Sequence, residues 1–223
     1  VKVYFISGIG ADHRLFTYLR LPEGFEATYI HWIVPMDDEP LGDYAFRLSR
    51  QIDTTQPFIL VGLSLGGIMS VEIAKHFSPV STILISSVPD SAHLPKLYRM
   101  AGKLKVGRLI HPSLLKTAAI LKHSLTMRSP ANRRLMKEVI QDGDNKFIHW
   151  ALNAVLSWEN HEIPHPLYHI HGTRDEVFPI GLTKPTHVVH DGGHMFLVSR
   201  PEAVNEFLLE VISSPPILPA TSL

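Results

Sequence analysis

Short runs of β-branched and other apolar residues alternate along this chain with longer segments of helical period, and that rhythm restricts the fold more than any other feature. A continuous apolar run suits a strand buried on both faces, and helices between such strands are the crossovers a parallel sheet requires. The spacing predicts strands over Val1–Ile6, Ala27–Ile33, Phe58–Val61, Val80–Ile85, Leu167–His171 and His187–Val189. Amphipathic helices are predicted over Leu15–Leu19, Tyr44–Ile52, Ile68–Phe77 and Glu202–Ile212, the last with Pro201 in its first turn. The expected class is α/β: about six mainly parallel strands with helices on both faces.

The interval from Pro89 to Pro166 is too long for one crossover and reads as several helices, among them Leu114–Leu121 and Ala131–Val139. It is expected to be an inserted helical cap over 90–165, set on a core of 1–89 and 166–214, with 215–223 as a tail. The whole chain is neutral, with 21 Lys and Arg against 21 Asp and Glu. From Ala92 to Ile148, however, twelve Lys and Arg face only Glu138, Asp142 and Asp144, a net of +9 that the remainder balances. Lys and Arg suit any exposed helix face, but a basic cap also favours an acidic ligand, an acidic partner or an anionic membrane surface. Leu94, Leu97, Met100, Leu104, Ile110 and Met127 are expected mostly to pack the cap onto the core, with Leu94 and Leu97 as candidates for a substrate pocket. Trp150 and Trp158 share that ambiguity.

Composition narrows the chemistry. With 45% hydrophobic and 19% charged residues the chain can bury a core, which excludes a mainly disordered protein. It has no Cys, so disulfide frameworks, thiol nucleophiles and Cys-based metal sites are excluded. Overall neutrality argues against sequence-independent binding of nucleic acid. No apolar run reaches the length of a membrane span, and the start, Val1-Lys2-Val3-Tyr4-Phe5-Ile6-Ser7, is too short in its apolar part for a secretory signal, so the chain reads as cytoplasmic. Residue 1 is not Met, which is compatible with removal of an upstream segment.

The third predicted strand ends in Gly62-Leu63-Ser64-Leu65-Gly66-Gly67 and runs at once into a helical pattern. A serine between a strand and a helix needs a strained turn, and side chains two residues to either side would collide, so Gly-x-Ser-x-Gly is the pattern such a turn selects. The Leu65 amide then opens the helix beside the hydroxyl, where it favours a developing negative charge. A glycine-rich turn serving only close helix-strand packing is the alternative. An alcohol also needs a base, and imidazole suits that role, with a carboxylate on its second nitrogen to hold the tautomer. Asp175 follows the fifth strand and His194, in Asp191-Gly192-Gly193-His194, follows the sixth, both beyond the carboxyl ends where ligands gather in open parallel sheets. As single residues, such aspartates are more often turn formers or helix caps.

Ser64, Asp175 and His194, in that order and in those contexts, resemble the α/β-hydrolase family over nearly the whole chain. The resemblance implies a reduced, parallel form of that fold carrying a cap. It also implies that the Ile9 amide, in Ser7-Gly8-Ile9-Gly10, is the second oxyanion donor beside Leu65, with Ser7 standing where the family usually has His. Asp90, after the fourth strand, is the alternative triad acid, and Glu176 a lesser one. His13, in Asp12-His13-Arg14, either lines the substrate entrance or sits in a first turn capped by Asp12. Fourteen histidines raise the question of a metal, and His169 and His171 share one face of a strand, but no His-Glu-x-x-His occurs and histidines bonded to backbone carbonyls are the favoured reading.

The function expected is a serine hydrolase acting on a carboxylic ester or thioester of a small to medium apolar acyl group, with a small-molecule substrate and no metal or organic cofactor. A lyase, a carbon–carbon hydrolase, a perhydrolase or an amidase can use the same three groups, and a non-catalytic receptor can use the same fold.

Overall fold

The computed structural model describes residues 1–213; the expected tail, 215–223, lies outside the described residues. The apolar runs form β1 (Lys2–Ile6), β2 (Glu26–Tyr29), β3 (Phe58–Leu63), β4 (Ser81–Ile85), β5 (Leu167–Gly172) and β6 (His187–Val189). They make one sheet in the order β2-β1-β3-β4-β5-β6, every neighbouring pair parallel. β3 is buried along its whole length at the centre. Alternation sorts the side chains: Val3, Phe5, Ile59, Val61 and Ile83 join one core cluster, whereas Tyr4, Ile6, Phe58 and Leu60 join the other. The chain leaves β1 in one direction for β2 and resumes on the other side at β3. The crevice at the carboxyl ends of β1 and β3 is therefore the topological switch point.

On one face lie α1 (Leu41–Leu48) and α2 (Leu65–Ala74). The α2 sequence is apolar or small on nearly every side, and it is buried from Leu65 through Ile73 between sheet, α1 and cap. The opposite face is covered by α7 (Phe196–Ser199) and α8 (Pro201–Ser213), through Phe196, Leu197, Phe207 and Leu208.

Between β4 and β5 the insertion folds as α3 (Lys96–Lys103), α4 (Pro112–Thr126), α5 (Pro130–Asp142) and α6 (Asn145–Leu156). Pro112 and Pro130 stand in first turns, where no amide is needed, and the side chains of Ser129 and Asp144 accept amide hydrogen bonds at the starts of α5 and α6. The cap grips both cores. Met136 and Val139 of α5 enter one, and Phe147, Trp150, Ala151 and Ala154 of α6 enter the other. Trp150 packs on Tyr44 at 4.1 Å between ring centroids and donates its indole N–H to the Glu39 carbonyl (2.9 Å), while Trp158 donates to Glu72 Oε1 (2.8 Å). Both indoles are thus core anchors. Among the described residues no helix is long and apolar enough to cross a membrane.

Several expectations are corrected. The second strand stops at Tyr29 rather than Ile33, because β1 turns away after Ile6 and the His31 backbone is taken up by the Gln51 side chain. Leu15–Leu19 is not a helix; Asp12 caps a 3-10 turn over His13–Phe16 instead. The helix expected over Tyr44–Ile52 begins at Leu41 and tightens into a 3-10 turn over Ser49–Gln51. In the cap, Leu94 and Met127 are buried in the cores, but Leu97, Met100 and Leu104 are largely exposed and do not pack onto the core.

Candidate active site

Ser64 is the single residue between β3 and α2, with φ 54° and ψ −117°. That conformation costs a non-glycine residue about 1–3 kcal/mol and persists only where the surroundings enforce it. Here its N–H donates to the Ile85 carbonyl (2.9 Å), and its own carbonyl accepts from the Gly67 amide (3.0 Å) and the Ser87 hydroxyl (2.7 Å). The flanking glycines are required by contact with each other and with β1: a Cβ on Gly62 would stand 2.2 Å from the Gly66 oxygen, and one on Gly66 would stand 2.0 Å from the Ile6 oxygen. The collision inferred from the motif spacing is the one at Gly62; the one at Gly66 is with the end of β1.

The Gly8–Gly10 loop passes beside this turn, since a Cβ on Gly8 would lie 3.6 Å from Ser64 Cβ. Buried Ser7, in place of the family's usual His, donates its hydroxyl to the Ala11 carbonyl (2.7 Å), which also accepts the Trp32 indole N–H (2.9 Å). These bonds fix the loop that carries the Ile9 amide. Leu65 is the first residue of α2, so its N–H is one of the helix's unpaired donors.

The loops after β5 and β6 are joined by backbone bonds from Thr173 N–H to the Val189 carbonyl (3.0 Å) and from Arg174 N–H to the Gly192 carbonyl (2.8 Å). Close approach demands glycine, because a Cβ on Gly172 would stand 2.2 Å from the Gly192 oxygen. This seam brings Asp175 and His194 together. His194 Nδ1 lies 3.0 and 2.9 Å from the two Asp175 oxygens, and His194 Nε2 lies 2.9 Å from Ser64 Oγ. A carboxylate only accepts, so Nδ1 carries the proton, and the Nε2 lone pair is left for the serine hydroxyl. Phe178 packs edge-on against the imidazole at 5.7 Å. Asp175 is buried, and its Oδ1 also accepts from the amides of Val177 and Phe178, both at 2.9 Å. Burial alone would raise this carboxyl, but the His194 hydrogen bond and charge and the Phe178 amide outweigh it and hold Asp175 below the usual carboxylate range.

His169 and His171 lie behind Asp175. His171 Nε2 is 2.7 Å from the Phe178 carbonyl and must donate to it; His171 Nδ1 then accepts from His169 Nε2 at 3.0 Å. Both rings are driven toward the neutral form by burial, and the charge of each neighbouring ring adds to this. The pair supports the Phe178 strand-end loop, in line with histidines bonded to backbone. Among the described residues no group of three or more His, Asp or Glu is placed to hold a metal ion.

The remaining candidates fall elsewhere. Asp90 accepts from the Ala92 amide (2.7 Å) and lies 2.9 Å from His161 Nδ1, so it is engaged as a cap and not with His194. Glu176 pairs with Lys122 of α4. His13 is exposed and packs on Tyr29 and His31, Leu94 is in the core, and Leu97 is 70% exposed, so these three do not form a pocket wall together. Sequence reading singled out neither Tyr98 nor His123 of the cap. Burial moves the Tyr98 phenol up, with the Asp175 charge adding to it, and burial moves His123 down to about 4, with the charges of Lys122 and His194 adding to that. Ser64 itself is 8% exposed. A cavity of about 870 Å³ beside Glu72 and Trp150, and another of about 280 Å³ between Gly10, Trp32 and Phe147, are lined by neither Ser64 nor His194.

A parallel sheet in this order, a helical cap between β4 and β5 and a serine at the strand-helix turn define the class of capped α/β hydrolases. The chain matches the model of the Alpha/beta hydrolase family over residues 3–207 and belongs to that family. Among solved structures it is similar to a thermophilic esterase from Thermogutta terrifontis with malate bound, at 17% identity over 95% of this chain and 89% of that one, with a TM-score of 0.71. It is also similar to MenH from S. aureus, at 16% identity over 93% and 91% with a TM-score of 0.73, and to the enol-lactonase from Burkholderia xenovorans LB400, at 14% over 96% and 90% with a TM-score of 0.72. At such identities the likeness is one of fold. No curated protein sequence matches the chain.

Proposed function

We propose that this member of the α/β-hydrolase family is a serine hydrolase that cleaves a carboxylic ester or thioester of a small to medium apolar acyl group. The observation that carries the reading is the unbroken line of hydrogen-bonding distances from Asp175 through His194 to Ser64 Oγ. Ser64 Oγ attacks the carbonyl carbon as its proton passes to His194 Nε2, and Asp175 stabilises the imidazolium through Nδ1–H. The amides of Ile9 and Leu65 bind the oxyanion. Collapse of the tetrahedral intermediate breaks the bond to the alcohol or thiol, which takes the proton from His194 and leaves an acyl-Ser64 ester. Water, deprotonated by His194, then attacks that ester, and the acid departs as Ser64 regains its proton.

The test is a panel of p-nitrophenyl esters and acyl thioesters of graded chain length, run beside Ser64→Ala. Turnover of short and medium chains that falls by several orders of magnitude in S64A is the expected result. A panel with no turnover, or turnover that survives S64A, overturns the assignment. An acidic ligand or surface at the basic cap is compatible with this chemistry and independent of it.

A further inference from the structure

Apolar side chains on helices normally face the core, yet α3 and α4 turn theirs outward. Leu97, Met100 and Leu104 recur at i, i+3 and i+7 along the α3 stretch, and Leu114, Leu121 and Leu125 at i, i+7 and i+11 along α4, so each set makes one stripe. These six side chains are 58–77% exposed, and α3 buries no residue at all. From residue 96 to 126 the chain has seven Lys and Arg and no Asp or Glu. Lys96, Arg99, Lys103 and Lys105 are exposed and, among the described residues, make no ion pair. Both helices pack on α6, and Lys122 of α4 pairs with Glu176, the residue next to Asp175.

We propose that this face of the cap binds an anionic lipid surface, with the leucines of α3 and α4 entering the acyl region and the lysines and arginines meeting the headgroups. Apolar stripes flanked by cations, here the unpaired Lys96, Arg99, Lys103 and Lys105 along the α3 stretch, are the composition of helices that lie in a membrane interface. Protruding leucines need no complementary cavity in hydrocarbon, as they would in a protein partner. A second copy of the chain is disfavoured, because a two-fold contact through this face would set two purely basic segments against each other. The inference stands apart from the hydrolytic reading and does not require it.

Co-sedimentation with vesicles tests it. The chain is expected to bind vesicles of mixed phosphatidylcholine and phosphatidylglycerol, to bind phosphatidylcholine alone at least ~10-fold more weakly, and to lose affinity as salt is raised. The double variant Leu121→Ser/Leu125→Ser, altered only at exposed positions, is expected to bind the mixed vesicles ~10-fold or more weakly with an unchanged far-ultraviolet circular dichroism spectrum. No binding to the mixed vesicles at low salt overturns the proposal, and so does binding that the double variant leaves intact. A vesicle-free dimer that dissociates in the double variant would assign the face to a second copy instead. Hydrolysis of a soluble p-nitrophenyl ester by the same preparation separates the two readings: activity without vesicle binding refutes the surface alone, and vesicle binding by a protein that turns over no ester refutes the hydrolase alone.

Discussion

Replacing Asp175 by Asn changes one atom and, in this site, is expected to reverse the imidazole. Oδ1 of Asp175 accepts from two backbone amides at 2.9 Å as well as facing His194, whereas Oδ2 faces the side-chain nitrogens of His194 and His171. An asparagine therefore keeps its oxygen toward Val177 and Phe178 and presents its NH2 to His194 Nδ1. The opposite orientation would leave the buried Phe178 amide and the partly buried Val177 amide facing a donor, at about 1–3 kcal/mol for the buried one. With a donor in front of it, Nδ1 must be the lone-pair atom, so the proton moves to Nε2 and His194 can no longer accept from Ser64. Loss of the tautomer and of the charge opposite the imidazolium predicts a fall in kcat of about 10,000-fold, or about 5 kcal/mol in activation free energy. The assay is ester hydrolysis under saturating substrate, with thermal unfolding followed in parallel to show that D175N is folded. Asp90→Asn serves as the control and is expected to stay within a few-fold of the parent. A D175N enzyme within ten-fold of the parent, or a D90N enzyme that is the inactive one, would refute the reasoning.

Gly66→Ala forces a methyl against the Ile6 carbonyl, 2.0 Å away between two backbone segments, and is expected to cost about 2–4 kcal/mol or to prevent folding; chemical denaturation measures it. His171→Phe removes the donor to the Phe178 carbonyl and leaves that oxygen buried, so stability should drop by about 1–3 kcal/mol, while a smaller change in kcat reports how far the Phe178 loop positions Asp175. For His123 the sign is set by burial: its pKa falls from 6.5 to about 4 on folding, so between those values the unfolded chain binds a proton the folded chain does not. Stability should consequently decline as pH drops through that window, by about 1–2 kcal/mol once solvent screening of the partly exposed ring is allowed for, and His123→Gln should flatten the dependence of Tm on pH.

What was legible in the sequence is what depends on local chemistry. Gly62, Ser64 and Gly66 announce their turn because the contacts that exclude side chains there come from residues four apart or from the adjoining strand. Asp175 and His194 were legible as residues just past strand ends, since a parallel sheet gathers those ends along one edge. The cap resisted such reading. Periodicity shows that Leu97, Met100 and Leu104 share a helix face but not what that face meets, and here it meets solvent while the less obvious face of α6 carries Trp150 into the core. Tyr98 and His123 left no mark either, because a polar residue within an amphipathic helix looks the same whether it faces water or is partly buried. The Leu15–Leu19 segment had a helical spacing that its surroundings overrode, with Asp12 at one end and the turn into Leu21-Pro22 at the other.

The central claim is that Ser64 is a nucleophile made reactive by His194. Treatment with a fluorophosphonate probe, intact-mass detection of the adduct and peptide mapping test it most directly. One phosphonyl group per chain is expected, located on Ser64 and abolished in both S64A and His194→Ala. A chain that stays unlabelled while a control serine hydrolase reacts, or an adduct located on another residue, would contradict it.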